Sequence, residues 1–577
     1  GGLATLQKSP ALFLMPWTAL LLATRAWREG VSRRALVRAG RDLVVWTLIV
    51  VVVYVALWPA MWADPLGTIE RVVDKAIGYA EEGHEAGNYF LGRPVQDPGW
   101  GYYPVATLFR MSPLVLMGLI GALFSLARDR EPGKPRFEVA ALLLYSVLFG
   151  AFMSLGSKKF DRYLLPVFPA LGIVAAVGLA DLAEVLHKRL TTPASRSLSL
   201  YAPLSVIAVL AQGALALVHY PHYLTYYNPL LGGLAGARDA LVVGWGEGYE
   251  EAAAYLNGES NAAELQVAVP TFTAFAPLFS GETRPIADYS VSETDYVVFY
   301  LAQVQRQHDQ ALMEEYFSNP DVEPEHTVTL RGVEYAWIYR NRHYVEPMSA
   351  LEAHGQPGRD VLLVNRDSVF GKHYRGALEV REFHRRSSPQ EVARLLDDLP
   401  PGTEQIWYPR YSDIDPEAAM RLLRNRGLLV EQAEFPHLRL VCYRLLEEEL
   451  PLESLDLRFG DLRLLGYAPT QPPPAWGRDG GVLLRWESER ALREEYTAFA
   501  HLYDSRGNRI AQGDNLIVNR DLLPTSQWES TSSGTTLHHL SIPAGTPPGR
   551  YELRVGAYVL ETGERLPVHG EDGTRYS

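Results

Sequence analysis

The stretch Gly156-Ser157-Lys158-Lys159-Phe160-Asp161-Arg162-Tyr163 joins two apolar runs of the chain. The runs lie at about residues 137–155 and 164–182. Each is close to the ~20 residues that an α-helix needs to cross a bilayer. The stretch is therefore predicted to be a tight turn at a membrane surface, and it brings three cations to that surface.

The composition divides the chain into a membrane part and a soluble part. The chain has 577 residues, a mean hydropathy of -0.07 and a formal net charge of -13. Long apolar runs are confined to about residues 1–220, and most of the negative charge lies after residue 230. Positive charge is not clustered in the soluble part, so no nucleic acid is expected as a partner. The single cysteine, Cys442, excludes a disulfide within the chain.

Six apolar runs predict about six membrane-spanning helices. They lie at about residues 10–24, 43–63, 104–127, 137–155, 164–182 and 200–218. The connections at 25–41, 128–136 and 187–196 are rich in arginine and lysine, and such loops stay in the cytoplasm. The acidic connection 64–103, the basic turn and everything after about residue 220 are then predicted to lie outside the cytoplasmic membrane.

In this topology the cations of the turn stand on the outer side, against the usual charge bias. We predict that they bind an anion at the outer membrane surface. The candidate residues are Lys158, Lys159, Arg162, Tyr163, Lys8 and Arg93. The alternative is that the long side chains only extend their charged ends toward water, which a short loop permits on either side of a membrane.

The acidic connection contains an amphipathic pattern at residues 65–82 that predicts a helix lying on the bilayer surface. Glu81, His84 and Glu85 at its end are candidate ligands of a divalent metal, because carboxylate and imidazole groups suit several metals. The alternative is a solvated acidic loop. No other cofactor is predicted.

Several motifs of the membrane part are similar to those of a known family. They are Gln7-Lys8-Ser9-Pro10-Ala11-Leu12, Phe90-Leu91-Gly92-Arg93-Pro94, Tyr102-Tyr103-Pro104-Val105, the basic turn continued through Leu164-Leu165-Pro166, Tyr226-Tyr227-Asn228-Pro229-Leu230-Leu231-Gly232-Gly233 and Val243-Gly244-Trp245-Gly246-Glu247-Gly248. Together they resemble the second half of the bacterial GT-C membrane glycosyltransferases, in the group similar to protein O-mannosyltransferases and lipid A aminoarabinose transferases. The resemblance covers about residues 1–260.

The resemblance implies an activity and a location. Such enzymes move a sugar from a polyprenyl-phosphate carrier to a glycan, lipid or protein acceptor at the outer face of the bacterial cytoplasmic membrane, so membrane lipids are further partners. The family's basic residues near the lipid phosphate match Lys158, Lys159 and Arg162 here. The alternative is a non-enzymatic, membrane-anchored envelope protein that presents outer interaction or carbohydrate-binding domains.

The resemblance assigns no catalytic residue in this chain. The family's catalytic acidic residue lies in the first outer loop, which would precede Gly1. The chain begins Gly1-Gly2-Leu3-Ala4 without Met. We therefore expect that the N-terminal part is missing and that the chain alone does not transfer a sugar.

Four domains are predicted in all. They are a helical transmembrane domain at 1–220 with the outer loop 64–103, an α/β domain at 228–343, a second α/β domain at 344–449 and a β-sandwich at 450–577. Gly244-Trp245-Gly246-Glu247-Gly248 is predicted to be a turn before a helix at Tyr249, because the spacing of a phosphate loop is absent. Ser388 and Glu391 form the signature of a capping box. The sandwich is predicted to serve packing or partner binding; carbohydrate binding through exposed aromatic residues is the alternative.

Overall fold

The computed structural model describes residues 1–81, 87–128, 136–190, 201–412, 414–415, 417–446, 452–470, 480–519, 523–570 and 575–576. The chain divides into two compact units. The first unit comprises Gly1–Ala287 and Val297–Tyr339, and the second comprises Asp288–Tyr296 and Arg340–Ser577. The first unit thus combines the helical part with nearly all of the first α/β domain.

Helices form the N-terminal part of the first unit. They are α1 (Gly2–Gln7), α2 (Leu14–Arg28), α3 (Arg33–Leu57), α4 (Ala60–Ala63), α5 (Pro65–Glu81), α6 (Tyr102–Arg110), α7 (Pro113–Arg128), α8 (Arg136–Ser154), α9 (Val167–Leu190) and α10 (Tyr201–Val218). Among the described residues, three helices are long and apolar enough to cross a membrane, at Arg33–Leu57, Arg136–Ser154 and Val167–His187. The bent pair Tyr102–Arg110 and Pro113–Ala127 adds a fourth if it counts as one span.

The predicted number of six spans is not confirmed. The run at 10–24 becomes a 3-10 turn at Ser9–Phe13 followed by α2, which has only 15 residues. The run at 104–127 is broken by 116° between α6 and α7. Pro113 explains the break, because proline has no backbone N–H and disfavours a helical conformation in the residue before it. Among the described residues, the last run forms an apolar helix at Pro203–Val218 that is shorter than the three candidate spans.

Helices α7 and α9 pack closely because glycines face each other. A Cβ atom on Gly118 would lie 2.4 Å from the carbonyl oxygen of Ala175, and one on Gly178 would lie 1.9 Å from the carbonyl oxygen of Gly118. Small residues allow two helix backbones to approach closely. Inside a bilayer, where the hydrophobic effect does not bring helices together, such close van der Waals packing stabilises their association. This close packing holds α9, the helix that follows the basic turn, against α7.

The rest of the first unit is an α/β domain and a small hairpin. The hairpin pairs β1 (Asn88–Phe90) with β2 (Arg93–Val95). The domain contains α11 (Gly233–Ala240), α12 (Tyr249–Asn257), β3 (Gln266–Val269), α13 (Phe272–Phe275), β4 (Glu282–Pro285), β5 (Tyr296–Tyr300), α14 (Leu301–Arg306), α15 (Gln310–Phe317), β6 (His326–Leu330) and β7 (Val333–Arg340). Its sheet has the order β4-β3-β5-β7-β6, with β3 and β4 parallel and β6 and β7 antiparallel.

The second unit begins with another α/β fold. Its elements are α16 (Val345–His354), β8 (Asp360–Asn365), α17 (Val369–His373), β9 (Glu379–Phe383), α18 (Pro389–Asp397), β10 (Gln405–Arg410), α19 (Glu417–Arg426), β11 (Gly427–Glu434) and β12 (Arg439–Leu445). The sheet order is β11-β12-β10-β8-β9, and β8 runs parallel to both β9 and β10. The capping box predicted at Ser388 and Glu391 is present at the start of α18.

The segment Asp288–Tyr296 is held in the second unit by buried acidic residues. The carboxylate of Asp295 lies 3.2 Å from Nζ of Lys372 and 3.1 Å from Nε2 of His373. Glu293 pairs with Arg385 at 2.8 Å. Both carboxylates are almost fully buried, and such groups need charged partners. These pairs explain why a segment that precedes β5 in sequence belongs to the second unit.

Two antiparallel sheets complete the second unit. Their strands are β13 (Glu453–Phe459), β14 (Leu462–Pro469), β15 (Gly481–Ser488), β16 (Tyr496–Tyr503), β17 (Arg509–Leu516), β18 (Ser533–His539), β19 (Glu552–Val559), β20 (Val568–Gly570) and β21 (Arg575–Tyr576). The sheets have the orders β18-β15-β14-β13-β20-β21 and β17-β16-β19. Side chains of both sheets share one core, which includes Trp486 and Ala498.

The second unit is expected to lose stability as the pH falls from about 6.5 to about 4. Burial lowers the pKa of His538 to about 4. An unfolded histidine has a pKa of about 6.5, so between these values the unfolded chain binds a proton that the folded chain does not. The contribution of His538 to the free energy of unfolding is therefore complete above about pH 6.5. It falls by about 3 kcal/mol as the pH drops from about 6.5 to about 4.

Histidine C2-hydrogen exchange followed by mass spectrometry measures this pKa directly in the whole chain. The exchange of His538 should show a midpoint near pH 4, and His538→Gln should flatten the dependence of unfolding on pH. A midpoint near 6.5 would contradict the prediction.

Candidate functional site

The basic turn lies between α8 and α9 and contains a 3-10 helix at Asp161–Leu164. Phe160 and Leu164 are buried and anchor the turn in the first unit. The charged residues of the turn differ in environment: Lys159 and Asp161 are buried, Lys158 is half-buried and Arg162 is exposed. The turn therefore does not present its three cations as one equivalent group.

Lys159 connects the turn to the acidic connection. Its side chain is 1% exposed, and Nζ lies 2.6 Å from Oδ1 of Asp97 and 2.6 Å from the carbonyl oxygen of Gly156. Burial tends to raise the pKa of Asp97, but hydrogen bonds from Lys159 and from the backbone of Gly99 outweigh it and lower that pKa. In this arrangement the ammonium group already has an anionic partner, and its place is structural.

Asp161 forms a second ion pair, with Arg110 at the end of α6. The distance between Nε of Arg110 and Oδ2 of Asp161 is 2.6 Å, and the two side chains are only 13% and 11% exposed. Arg110 also donates to the carbonyl oxygens of Leu224 and Tyr226 and to the hydroxyl group of Tyr227. The pair joins α6, the turn and the segment after α10. The sequence prediction missed it, although a lone arginine in an apolar run is a signal for a buried partner.

Arg162 lies against three aromatic rings. Its guanidinium carbon is 4.2 Å from the ring centroid of Trp245, 4.6 Å from that of Phe160 and 5.7 Å from that of Tyr163. Such contacts hold a planar guanidinium group in place without neutralising its charge. Arg162 is thereby fixed in orientation and remains able to bind an anion.

The glycine-rich loop before α12 presents Trp245. Gly244, Gly246 and Gly248 have φ values of +102°, +114° and +84°, which favour glycine. The backbone N–H of Gly246 donates to the hydroxyl group of Tyr300, which in turn donates to the carbonyl oxygen of Glu247. Burial raises the pKa of Tyr300, so this hydroxyl group stays protonated. The loop is a turn before a helix at Tyr249, as predicted, and it also positions the tryptophan ring.

Arg306, at the end of α14, brings a second guanidinium group to the ring of Phe160. The distance from its guanidinium carbon to the ring centroid is 6.0 Å. Its Nε atom is buried and has no hydrogen-bond partner among the described residues. Burial lowers the pKa of Arg306, and the nearby charge of Arg162 acts in the same direction. Within the described part of the chain, neither guanidinium group forms an ion pair.

The other predicted site residues lie at different distances from this pair. Lys8 is exposed, and its Nζ is 6.0 Å from the ring centroid of Tyr163, so the structure brings it to the site. Arg93 is exposed on β2, and β2 contacts α14. Glu81 ends α5, and its side chain is not described; His84 and Glu85 lie outside the described residues. The metal hypothesis therefore stays a prediction.

Arg162 and Arg306 place two like charges near the ring of Phe160. A buried charge is normally paired, and two like charges that face one ring repel each other. Guanidinium groups bind phosphate through pairs of parallel hydrogen bonds. The sequence prediction missed Arg306 because nothing in the pattern of its short helix distinguishes it from an ordinary surface arginine.

Comparisons with known proteins do not identify a family. No family model matches the chain, and no curated protein matches it. One solved structure that matches part of the chain is the crystal structure of an endonuclease/exonuclease/phosphatase from Beutenbergia cavernae. It is 10% identical, covers 49% of this chain and 89% of its own, and has a TM-score of 0.11, which carries no argument about fold or function.

Proposed function

We propose that the chain binds the phosphate of a polyprenyl-phosphate-linked sugar and takes part in transfer of that sugar to an acceptor. The acceptor is a glycan, a lipid or a protein at the outer face of the bacterial cytoplasmic membrane. One observation carries the proposal: Arg162 and the partly buried Arg306 face the ring of Phe160, and neither has an acidic partner among the described residues.

The depth of the site supports a lipid phosphate. The basic turn directly connects α8 and α9, and both are long and apolar enough to cross a membrane. A group that binds at this turn lies where the apolar spans end. Phosphate groups of lipids occupy that level, and the isoprenoid chain of a carrier would extend along the apolar helices.

The chemistry of sugar transfer gives the two arginines a role. The carrier phosphate is the leaving group, and negative charge on it grows as the bond to the sugar breaks. Fixed guanidinium groups would stabilise that charge more strongly in the transition state than in the bound substrate. The rings of Trp245 and Phe160 would hold Arg162 in the required orientation. No residue of the chain is assigned as the catalytic base.

The proposal is tested by carrier binding to the whole chain in phosphatidylcholine nanodiscs. Undecaprenyl phosphate is the ligand, and native mass spectrometry measures the bound fraction. Undecaprenyl phosphate should be retained in the presence of a tenfold excess of phosphatidylglycerol. Equal displacement by phosphatidylglycerol would indicate a general site for anionic lipid headgroups and would contradict carrier recognition.

The proposed orientation in the membrane predicts a labelling pattern. We expect a membrane-impermeant thiol reagent to label Gln96→Cys but not Val31→Cys in intact cells, in a Cys442→Ser background. Both positions are exposed in the structure, so accessibility of the folded protein does not limit either reaction. Labelling of Val31→Cys in intact cells without labelling of Gln96→Cys would reverse the proposed orientation, and both sites should react after the cells are opened.

A further inference from the structure

A cavity lies within the second unit, between the sheet of its α/β fold and the two-sheet part. Its volume is about 300 Å³, at the lower end of the range for small-molecule sites, which often occur between domains. Helix α19 and strands β11 and β12 form one wall, and β17 and β18 form the other. Nδ2 of Asn515 donates to Oδ1 of Asn425 at 2.5 Å, and this hydrogen bond ties the walls together.

Both walls supply polar side chains to the same space. They include Arg424, Gln432, Arg439 and Tyr443 on the first wall and Asp514, Asn515 and His539 on the second. They include guanidinium and amide donors and carboxylate and amide acceptors. Nε of Arg439 lies 2.6 Å from Oε1 of Glu434, which balances its charge. Arg424 and Asp514 have opposite charges, so the cavity favours neither a strong anion nor a strong cation. Asp514 is the one carboxylate that lines it among the described residues, which is too few for a metal site.

Contacts within the protein hold these groups in place. Nε2 of His539 donates to the carbonyl oxygen of Arg424 at 3.1 Å. The amide nitrogen of Asn515 donates to Asn425 and also to the carbonyl oxygen of Leu537 at 2.9 Å, so its own carbonyl oxygen is the group that can accept from a ligand.

The acidic and phenolic groups are also restrained. The carboxylate of Asp514 lies 3.3 Å from Nε2 of His501, and the Asp514 side chain is still 42% exposed. Burial raises the pKa of Tyr443 although Arg424 acts against it, so the phenol keeps its proton. Because these side chains are already held in place, they lose little conformational freedom when a ligand binds. This reduces the entropic cost of binding.

We propose that this cavity binds one saccharide unit of a glycan. Each hydroxyl group of a sugar both donates and accepts hydrogen bonds, so an uncharged sugar can pair with the mixed donors and acceptors of both walls. The polar lining disfavours a lipid chain, whose burial there would leave these groups unpaired. The site needs no sugar-transfer activity, so it does not depend on the function proposed for the first unit.

Saturation-transfer NMR on the whole chain tests the proposal, in a detergent without a sugar headgroup. The probes are N-acetyl-D-glucosamine, D-galactose and D-glucuronate, with inorganic phosphate in a parallel calorimetric titration. We expect at least one saccharide to bind. Asp514→Ala should weaken its binding at least fivefold, and Ser541→Trp, at the lining of the cavity, should abolish binding by filling the space. Arg509→Ala, exposed on β17, is the matched control and should leave binding unchanged.

The outcomes separate the alternatives. The proposal is overturned if none of the three saccharides binds the unmodified chain, or if Asp514→Ala and Ser541→Trp leave binding unchanged. Binding of inorganic phosphate without any saccharide would show an anion site and would also overturn it. Thermal unfolding of each variant, with a midpoint within a few degrees of the unmodified chain, shows that loss of binding is not loss of fold.

Discussion

Arg162→Ala is expected to weaken the binding of undecaprenyl phosphate more than tenfold, about 1.4 kcal/mol or more. The guanidinium group of Arg162 is exposed, oriented by Trp245 at 4.2 Å and by Phe160 at 4.6 Å, and has no ion pair among the described residues. Its removal therefore subtracts a phosphate contact without breaking an internal ion pair. Arg162→Lys should restore binding only in part, because an ammonium group cannot make two parallel hydrogen bonds.

A substitution of Arg306 tests the phosphate site independently of Arg162. Arg306→Met should weaken carrier binding at least fivefold. The same change should leave the thermal unfolding temperature unchanged or raise it, because it removes a partly buried cation whose Nε has no partner among the described residues. A purely structural arginine would behave in the opposite way, with lower stability and unaltered binding.

Native mass spectrometry in nanodiscs measures both effects, with Arg34→Ala as the matched control. Arg34 is an exposed arginine in the first turn of α3 and should have no effect. If Arg162→Ala and Arg306→Met both bind the carrier as the unmodified chain does, the cations do not form the phosphate site, and the function proposed here loses its main support.

Asp161→Ala is expected to destabilise the first unit by about 3–5 kcal/mol. Asp161 and Arg110 are 11% and 13% exposed and lie 2.6 Å apart. Removal of the carboxylate leaves a buried guanidinium group without its counter-charge, and it also removes the acceptor for the backbone N–H of Arg162. The stability of Asp161→Asn should lie between that of the unmodified chain and that of Asp161→Ala, because the amide still accepts a hydrogen bond but carries no charge.

Thermal unfolding in detergent, followed by size-exclusion chromatography of the heated samples, measures this loss. Asp42→Ala is the control, since Asp42 pairs with Arg41 on the exposed surface of α3, where a pair contributes about 0–1 kcal/mol. Equal decreases of the unfolding temperature for Asp161→Ala and Asp42→Ala would show that the buried ion pair contributes no more to stability than the exposed one. Loss of carrier binding by folded Asp161→Asn would show in addition that the pair positions Arg162.

The sequence by itself determined those features that depend on neighbours along the chain. Apolar runs of sufficient length predicted α3, α8 and α9 as candidate spans, and the short polar stretch between two of them predicted the turn. The capping box at Ser388 and the helix that begins at Tyr249 also follow from local patterns. Hydropathy predicts the run 104–127 as one span although it contains Pro113. The hydropathy of a residue does not depend on whether its backbone has an N–H group, so it does not predict the bend.

Only the tertiary structure decided which charges are paired and which have no acidic partner among the described residues. The three cations of the turn look equivalent in sequence, yet Lys159 is bonded to Asp97, 62 residues away, and Arg162 is not. Asp161 finds Arg110 at a separation of 51 residues, and Arg306 arrives from a different domain of the first unit. Ion pairing depends on distance and burial, which follow from the packing of distant elements. Periodicity and composition describe only the residues that are adjacent along the chain.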